Sequence, residues 1–275
     1  MTCRYGSYCF GMHSSPNASG RRLSVIGFLV LAIVYLAVVQ GFGFLLASDV
    51  KYAAPANTDE LWRMILVPTA LSAVVAYAAV AWLRWWRPVW IDDRPVQRWV
   101  IIVPILMAIS ILIVTDYGAL ADHGVVFVLL LLLGSLMVGL TEETVFRGIA
   151  VTCFRTNGFS ESKVALWSTV LFGLAHSTNL FSEGTKAFAQ VGTTIVAGYF
   201  FYLIRRRTRG LLVPVLVHAF WDFSLISGLT DGTSYRLALV AALTMIVVAI
   251  IVFVRRHRIE LDPTSTDSDP ATSNR

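Results

Sequence analysis

Six polar residues stand where this chain is otherwise apolar, and their types suit acid–base chemistry. Glu142, Glu143 and Arg147 follow directly on the uncharged run 125–140, in Leu140-Thr-Glu-Glu-Thr-Val-Phe-Arg147. His176 closes Phe172-Gly-Leu-Ala-His176, while His218 and Asp222 bracket His218-Ala-Phe-Trp-Asp222. A charge near the centre of a bilayer costs about 2.5–3.5 kcal/mol on insertion scales, so such residues are kept for function and find partners. Glu142, His176, His218 and Asp222 fall on three separate apolar runs and should converge on one polar cavity. A carboxylate with two imidazoles is equipped for peptide hydrolysis. Glu142 would take a proton from water, His176 would hold that water, and His218, oriented by Asp222, would stabilise the oxyanion. The same residues fit a second chemistry, in which His176, His218 and Asp222 bind a divalent ion such as Zn2+ and leave one position for water. Spacing does not separate the two.

Local geometry narrows the first motif. Acids at a helix C-terminus face the wrong end of the dipole, which predicts that the helix runs on through Arg147. Glu143 and Arg147 are then four residues apart in the favourable order, and Glu142 lies about 100° round the axis, unpaired. The alternative is that Thr141 caps a new interfacial helix with acids in its first turn. His218 and Asp222, also four apart, share a helix face.

The elements that must position these groups are membrane helices. Of 275 residues, 56% are hydrophobic and 14% charged, against about 25% charged in a soluble domain. Arg21-Arg22 precede an apolar run over 24–47, too long for the hydrophobic region of a signal peptide. Seven more runs follow, at 62–83, 99–115, 125–147, 160–178, 187–204, 211–229 and 237–254. Most are near the length a spanning helix needs. Arginines cluster at 21–22, 84–98, 147–155, 205–209 and 255–258, on alternate loops. The intervening loops carry chiefly Asp49, Asp59, Glu60, Asp116, Asp122, Glu183 and Asp231. This pattern predicts an all-α, polytopic bundle of about eight transmembrane helices in the cell membrane, with both termini cytoplasmic. The net charge of +5 serves orientation in the membrane, and a nucleic-acid partner is excluded. Membrane lipids and a membrane-associated or lipidated peptide are the expected partners.

Polar stretches at 1–20 and 259–275 are expected to be disordered tails flanking a transmembrane domain at 21–258, with its catalytic core at about 125–225. Trp82, Trp85, Trp86 and Trp90 are expected at a membrane interface. Ser135/Gly139 and Thr194/Gly198 offer small residues for close helix packing. Cys3, Cys9 and Cys153 fit neither a disulfide framework nor a zinc spacing. The His-Glu-x-x-His signature is absent from the sequence, as is any repeat marking two transporter halves. Counted from their helix starts, His176 lies about 24 Å deep and His218 only about 10 Å. A single cavity therefore requires that the fifth helix begin outside lipid and enter near Leu166.

Glu-Glu-x-x-x-Arg at 142–147, Phe-x-x-x-His at 172–176 and His-x-x-x-Asp at 218–222, in that order across eight apolar runs, resemble the CPBP family. That family comprises the type II CAAX prenyl proteases and bacteriocin-processing enzymes. The resemblance covers about 125–225 and implies an intramembrane endopeptidase of the glutamate- or metal-dependent kind. It implies Glu142 as water activator, Glu143 with Arg147 as a structural pair, His176 at the water, and His218 with residue 222 at the oxyanion or metal. Many members have Asn at the last position, whereas an ionised Asp222 cannot donate a hydrogen bond. That favours orientation of His218 or metal ligation over direct oxyanion contact. The competing readings are a scaffold or bacteriocin-immunity protein without turnover, and a transporter using the same residues as a proton relay.

Overall fold

The computed structural model of the chain describes residues 20–50, 54–180, 184–229 and 235–261. Cys3, Cys9, Lys51, Glu183, Asp231 and the tails at 1–19 and 262–275 lie outside the described residues. Helices dominate, and the described residues form no strand, only two isolated bridges at Ile91–Gly210 and Val96–Glu260. In chain order the long helices are α1 (Val25–Ala47), α2 (Thr58–Leu83), α3 (Arg98–Val114), α4 (Tyr117–Thr156), α5 (Glu161–Ala175), α6 (Lys186–Arg207), α7 (Leu212–Leu229) and α8 (Tyr235–Val254). Five of them, α1, α2, α4, α6 and α7, are long and apolar enough to cross a membrane. Two more, Arg98–Val114 and the Leu239–Val254 part of α8, are shorter apolar helices among the described residues, so the count of eight holds only approximately.

The helix starts follow from their caps. Ser24 accepts from the Gly27 amide at 3.0 Å. Asn57 accepts from Glu60 N at 3.0 Å while Glu60 accepts back from Ala56 N at 2.7 Å, two amides satisfied reciprocally. Asp116 caps α4 through the Ala119 amide at 3.0 Å. Within α4, Gly124 at φ 79° breaks the regular backbone, a conformation open to glycine, so the apolar stretch starts afresh beyond it.

Apolar side chains that would be misplaced in water, among them Ile26, Ile33, Val126, Leu129, Ile250 and Phe253, form the outer surface. This is the arrangement of a bundle solvated by lipid, where helices satisfy their own backbone. This is an integral membrane protein. Contact between α4 and α7 is closest at Gly139, where a Cβ would stand 2.8 Å from the Val215 carbonyl oxygen and 3.0 Å from the Ala219 amide. Small residues permit such backbone approach. Here it sets the Glu142 turn beside the His218 turn.

The arginine clusters meet at one end of the bundle. Asp92 accepts from both Arg155 and Arg205 at 2.9 Å. Glu161 accepts from Arg94 at 2.6 Å, from Arg155 at 2.7 Å and from Tyr202 at 2.6 Å. Arg206 holds Glu260 through two bonds of 2.7 and 2.8 Å. Asn157 donates to the Leu23 carbonyl and the Gln97 amide to that of Ile259, so the first and last described helices have their outer ends on this face. Order extends past the predicted tail boundary at 259, because Ile259 is buried and Glu260 is paired. Trp82 and Trp86 are exposed as interface anchors should be, but Trp85 is buried against Gly20.

Candidate active site

The first motif sits where α4 changes pitch. Glu142 ends its α-helical part, and from Glu143 to Ala150 the backbone winds as a π-helix before Val151–Thr156 resumes the α form. Such wide turns are rare and concentrate at functional sites. The helix therefore continues through Arg147, and Thr141 is not a cap. Its hydroxyl donates backward to the carbonyls of Met137 and Val138, at 3.0 and 3.2 Å. Arg147 donates to Glu143 Oε1 at 2.9 Å, with both side chains fully buried. Although counted among the loop arginines in the sequence pattern, Arg147 lies inside the bundle.

The third motif joins this pair. His218 Nδ1 stands 2.9 Å from the same Glu143 oxygen. An ionised carboxylate only accepts, so Nδ1 carries the proton. Nε2 then faces Glu142 Oε2 at 3.7 Å and Asp222 Oδ2 at 3.4 Å. Here the sequence expectation is corrected, since Glu143 makes the shorter contact that orients His218 and Asp222 stands more loosely at the other nitrogen. Glu143 is thus shared between Arg147 and His218 rather than reserved for a structural pair.

Aromatic rings close the pocket. Phe201 stacks on His218 with centroids 4.7 Å apart. Phe172 meets the edge of His218 at 5.8 Å and of His176 at 4.9 Å, and the Arg147 guanidinium lies 3.9 Å over its face. His176 is placed where α5 ends and tightens into a 3-10 turn, its Nδ1 3.0 Å from the Phe172 carbonyl oxygen. It lies within electrostatic range of Glu142. Five of the six predicted residues thus touch directly, and His176 reaches them through Phe172. The two histidines share one ring as neighbour, so they lie at one level of the bundle. Glu161 at the start of α5 is held among the arginines, while Leu166 and Trp167 are exposed.

Much of this polar cluster has no protein partner. Glu142 Oε2, Glu143 Oε2 and the Nε and Nη2 of Arg147 are buried without a hydrogen bond. Glu142 keeps 22% and Asp222 27% of side-chain exposure, against 5% for His218, so the pocket opens on the side of these two acids. Among the described residues, no group of three or more His, Cys, Asp or Glu is arranged to hold a metal ion. The ligand set His176, His218 and Asp222 does not fit one as it stands. A cavity of about 820 Å3 lies elsewhere, between α5, α6 and α8. Its lining is mostly apolar, and Glu161, Arg206 and Glu260 at its end are already paired with each other or with neighbours, so we place no chemistry there.

All six residues lie within a stretch, 124–224, that matches the family of type II CAAX prenyl endopeptidases, Rce1-like. Residues 124–224 match the Rce1-like domain. The matched stretch begins at the Gly124 break and ends two residues past Asp222, and it bears out the resemblance to the CPBP family. No curated protein matches the chain.

Several groups around the Rce1-like domain were not singled out from sequence. Tyr35 on α1 donates to Thr141 Oγ1 at 3.1 Å, and the Tyr77 hydroxyl of α2 is 3.2 Å from that of Thr144. Gln40 donates to Thr178 Oγ1 at 2.7 Å and to Asn179 Oδ1 at 3.1 Å, just beyond His176. The signal was available: a phenol and an amide inside the apolar run of α1 are intramembrane polar groups in their own right. Gly198, read as a packing residue, also makes room for the site. A Cβ there would stand 2.9 Å from Arg147 Nη2 and 3.1 Å from Phe172.

Proposed function

We propose that this protein is an intramembrane endopeptidase that hydrolyses a peptide bond with a water activated by Glu142. The observation that carries the reading is Glu142 Oε2, which is buried without a hydrogen-bond partner and stands 3.7 Å from an imidazole nitrogen. A water held by Glu142 and His176 loses its proton to Glu142 as its oxygen attacks the scissile carbonyl. His218 acts as an imidazolium, with one proton given to Glu143 from Nδ1 and the other donated from Nε2 to the oxyanion that forms, near Asp222. Glu142 then passes its proton to the leaving amine. Preorganisation favours this scheme, because the Glu143–Arg147 pair holds His218 before substrate arrives. No step requires a metal ion.

The Rce1-like family implies a membrane-associated, prenylated peptide as substrate. By the positive-inside rule the arginine-rich end faces the cytoplasm of the cell, with both termini on that side. The experiment is cleavage of a quenched, farnesylated peptide ending in a CAAX sequence, by protein reconstituted in nanodiscs. Glu142→Gln keeps the shape and removes the base, so the rate should fall about a thousandfold, within the range of a general base, at unchanged expression. A chelator should leave the wild-type rate unchanged. Full activity in Glu142→Gln would sink the proposal and favour a scaffold without turnover.

A further inference from the structure

We infer that Tyr35, on a helix outside the Rce1-like domain, is a positioning residue for Glu142. The inference rests on the protease reading for its kinetic arm only. The difficulty it answers is that Glu142 makes no hydrogen bond through its buried Oε2. A general base must nevertheless be held within a fraction of an ångström of its productive place. Without a partner on its carboxylate, its aim is set by the backbone turn that carries it.

That turn is gripped from both sides. Thr141, the residue before Glu142, sends its own proton back to the Met137 and Val138 carbonyls, leaving a lone pair free. Tyr35 donates to that lone pair at 3.1 Å. Backward bonding by a threonine bends a helix, and the change from α to π pitch follows at once at Glu143. On the far side of the two acids, the Tyr77 and Thr144 hydroxyls meet at 3.2 Å. Two tyrosines from α1 and α2 thus bracket Glu142 and Glu143 through the threonines flanking them.

Tyr35 is built for this task rather than for packing alone. Only Phe28, Ala32 and Tyr35 on α1 are buried, spaced four and three residues apart on one face. Most of the helix looks outward to lipid. Ser72 of α2 is itself buried near the Tyr35 hydroxyl and donates to the Thr69 carbonyl at 2.9 Å, and the Tyr35 hydroxyl lies within electrostatic range of Glu142. The phenol is therefore buried with its ring on α1 and its hydroxyl on the turn that carries Glu142.

The test uses the full chain in nanodiscs with the farnesylated peptide. Tyr35→Phe removes one hydroxyl and keeps the ring. We expect kcat to fall about tenfold, equivalent to about 1.4 kcal/mol, with KM within twofold and a shifted pH profile. Thr141→Val removes the other end of the same bond and should reproduce the loss. The double variant should lose no more than either single one, since contacting residues are not additive. A second readout needs no turnover. The infrared band of the Glu142 carboxyl group, assigned by its loss in Glu142→Gln, should move in Tyr35→Phe and in Thr141→Val. An unmoved band would overturn the inference, as would losses that multiply in the double variant. A wild-type protein that does not cleave the peptide would count against the protease reading, while the band would still decide the role of Tyr35.

Discussion

The protein contains two clusters of acids and arginines that are treated in opposite ways. At the arginine-rich end, Asp92, Glu161 and Glu260 meet Arg94, Arg155, Arg205 and Arg206 in bonds of 2.6–2.9 Å, with most polar atoms engaged. In the pocket, Glu142, Glu143 and Arg147 leave four buried atoms without a protein hydrogen bond. Burying charge is costly in both places; the first cluster offsets that cost with several short pairs, the pocket chiefly with the contacts of Glu143 to Arg147 and His218. Unpaired buried groups destabilise the fold, and they persist where catalysis needs them free. The same residue types thus lock the helix ends in one region and keep atoms without protein partners in the other. The two are joined at one point: Arg205, which holds Asp92, also donates to the carbonyl oxygen of Arg147 in the π turn. A wide turn leaves carbonyls without their usual partners, and Arg205 supplies one.

The sharpest test of this contrast is to neutralise one acid in each region. Glu142→Gln should abolish turnover while leaving the thermal midpoint in detergent unchanged or raised, since it removes a charge whose buried Oε2 makes no hydrogen bond. Asp92→Asn should do the reverse. It removes the acid partner of Arg205 and one of the two of Arg155 and should cost about 3 kcal/mol of stability, read as a lowered midpoint, with the rate per folded molecule nearly preserved. Equal effects of the two variants on stability would break the comparison.

Gly198→Ala reaches the pocket without touching an acid. The added methyl must push on Arg147 and Phe172, which should cost about 1–3 kcal/mol as overpacking. Because Arg147 shares Glu143 with His218, kcat should fall as well, whereas alanine at Gly41, which has open space around it, should change neither. The smallest effect is one of pH. Burial pushes the Asp92 carboxyl up, but the Arg155 and Arg205 guanidiniums outweigh it and hold the group below the ordinary carboxylate range. A group that releases its proton more readily when folded stabilises fully above its unfolded value, about pH 4, and less as pH falls through the folded one. The thermal midpoint should therefore stay level from neutral pH down to about 5 and drop below about 4, and Asp92→Asn should lack that component of the drop.

Chain order and residue type were enough to reveal a good deal. Long apolar runs can only be helices in lipid, and alternating arginines put their ends on two faces, so the architecture and the gathering of Arg84–Arg98 with Arg205–Arg209 were legible in advance. The six pocket residues were legible for the same reason, since an ionisable group inside an apolar run must have a purpose. What required the folded chain was everything that depends on which atoms meet. Helical spacing paired His218 with Asp222, its neighbour on α7, because spacing sees only contacts within one helix. Tertiary packing added Glu143 as the nearer partner of His218, across the Gly139 crossing of α4 and α7. It also buried Arg147, docked Glu260 on Arg206 and brought the Tyr35 hydroxyl to Thr141. Hydrogen bonds fall away steeply with distance and angle, so partners on different helices are chosen by tertiary geometry that no pattern along one helix records.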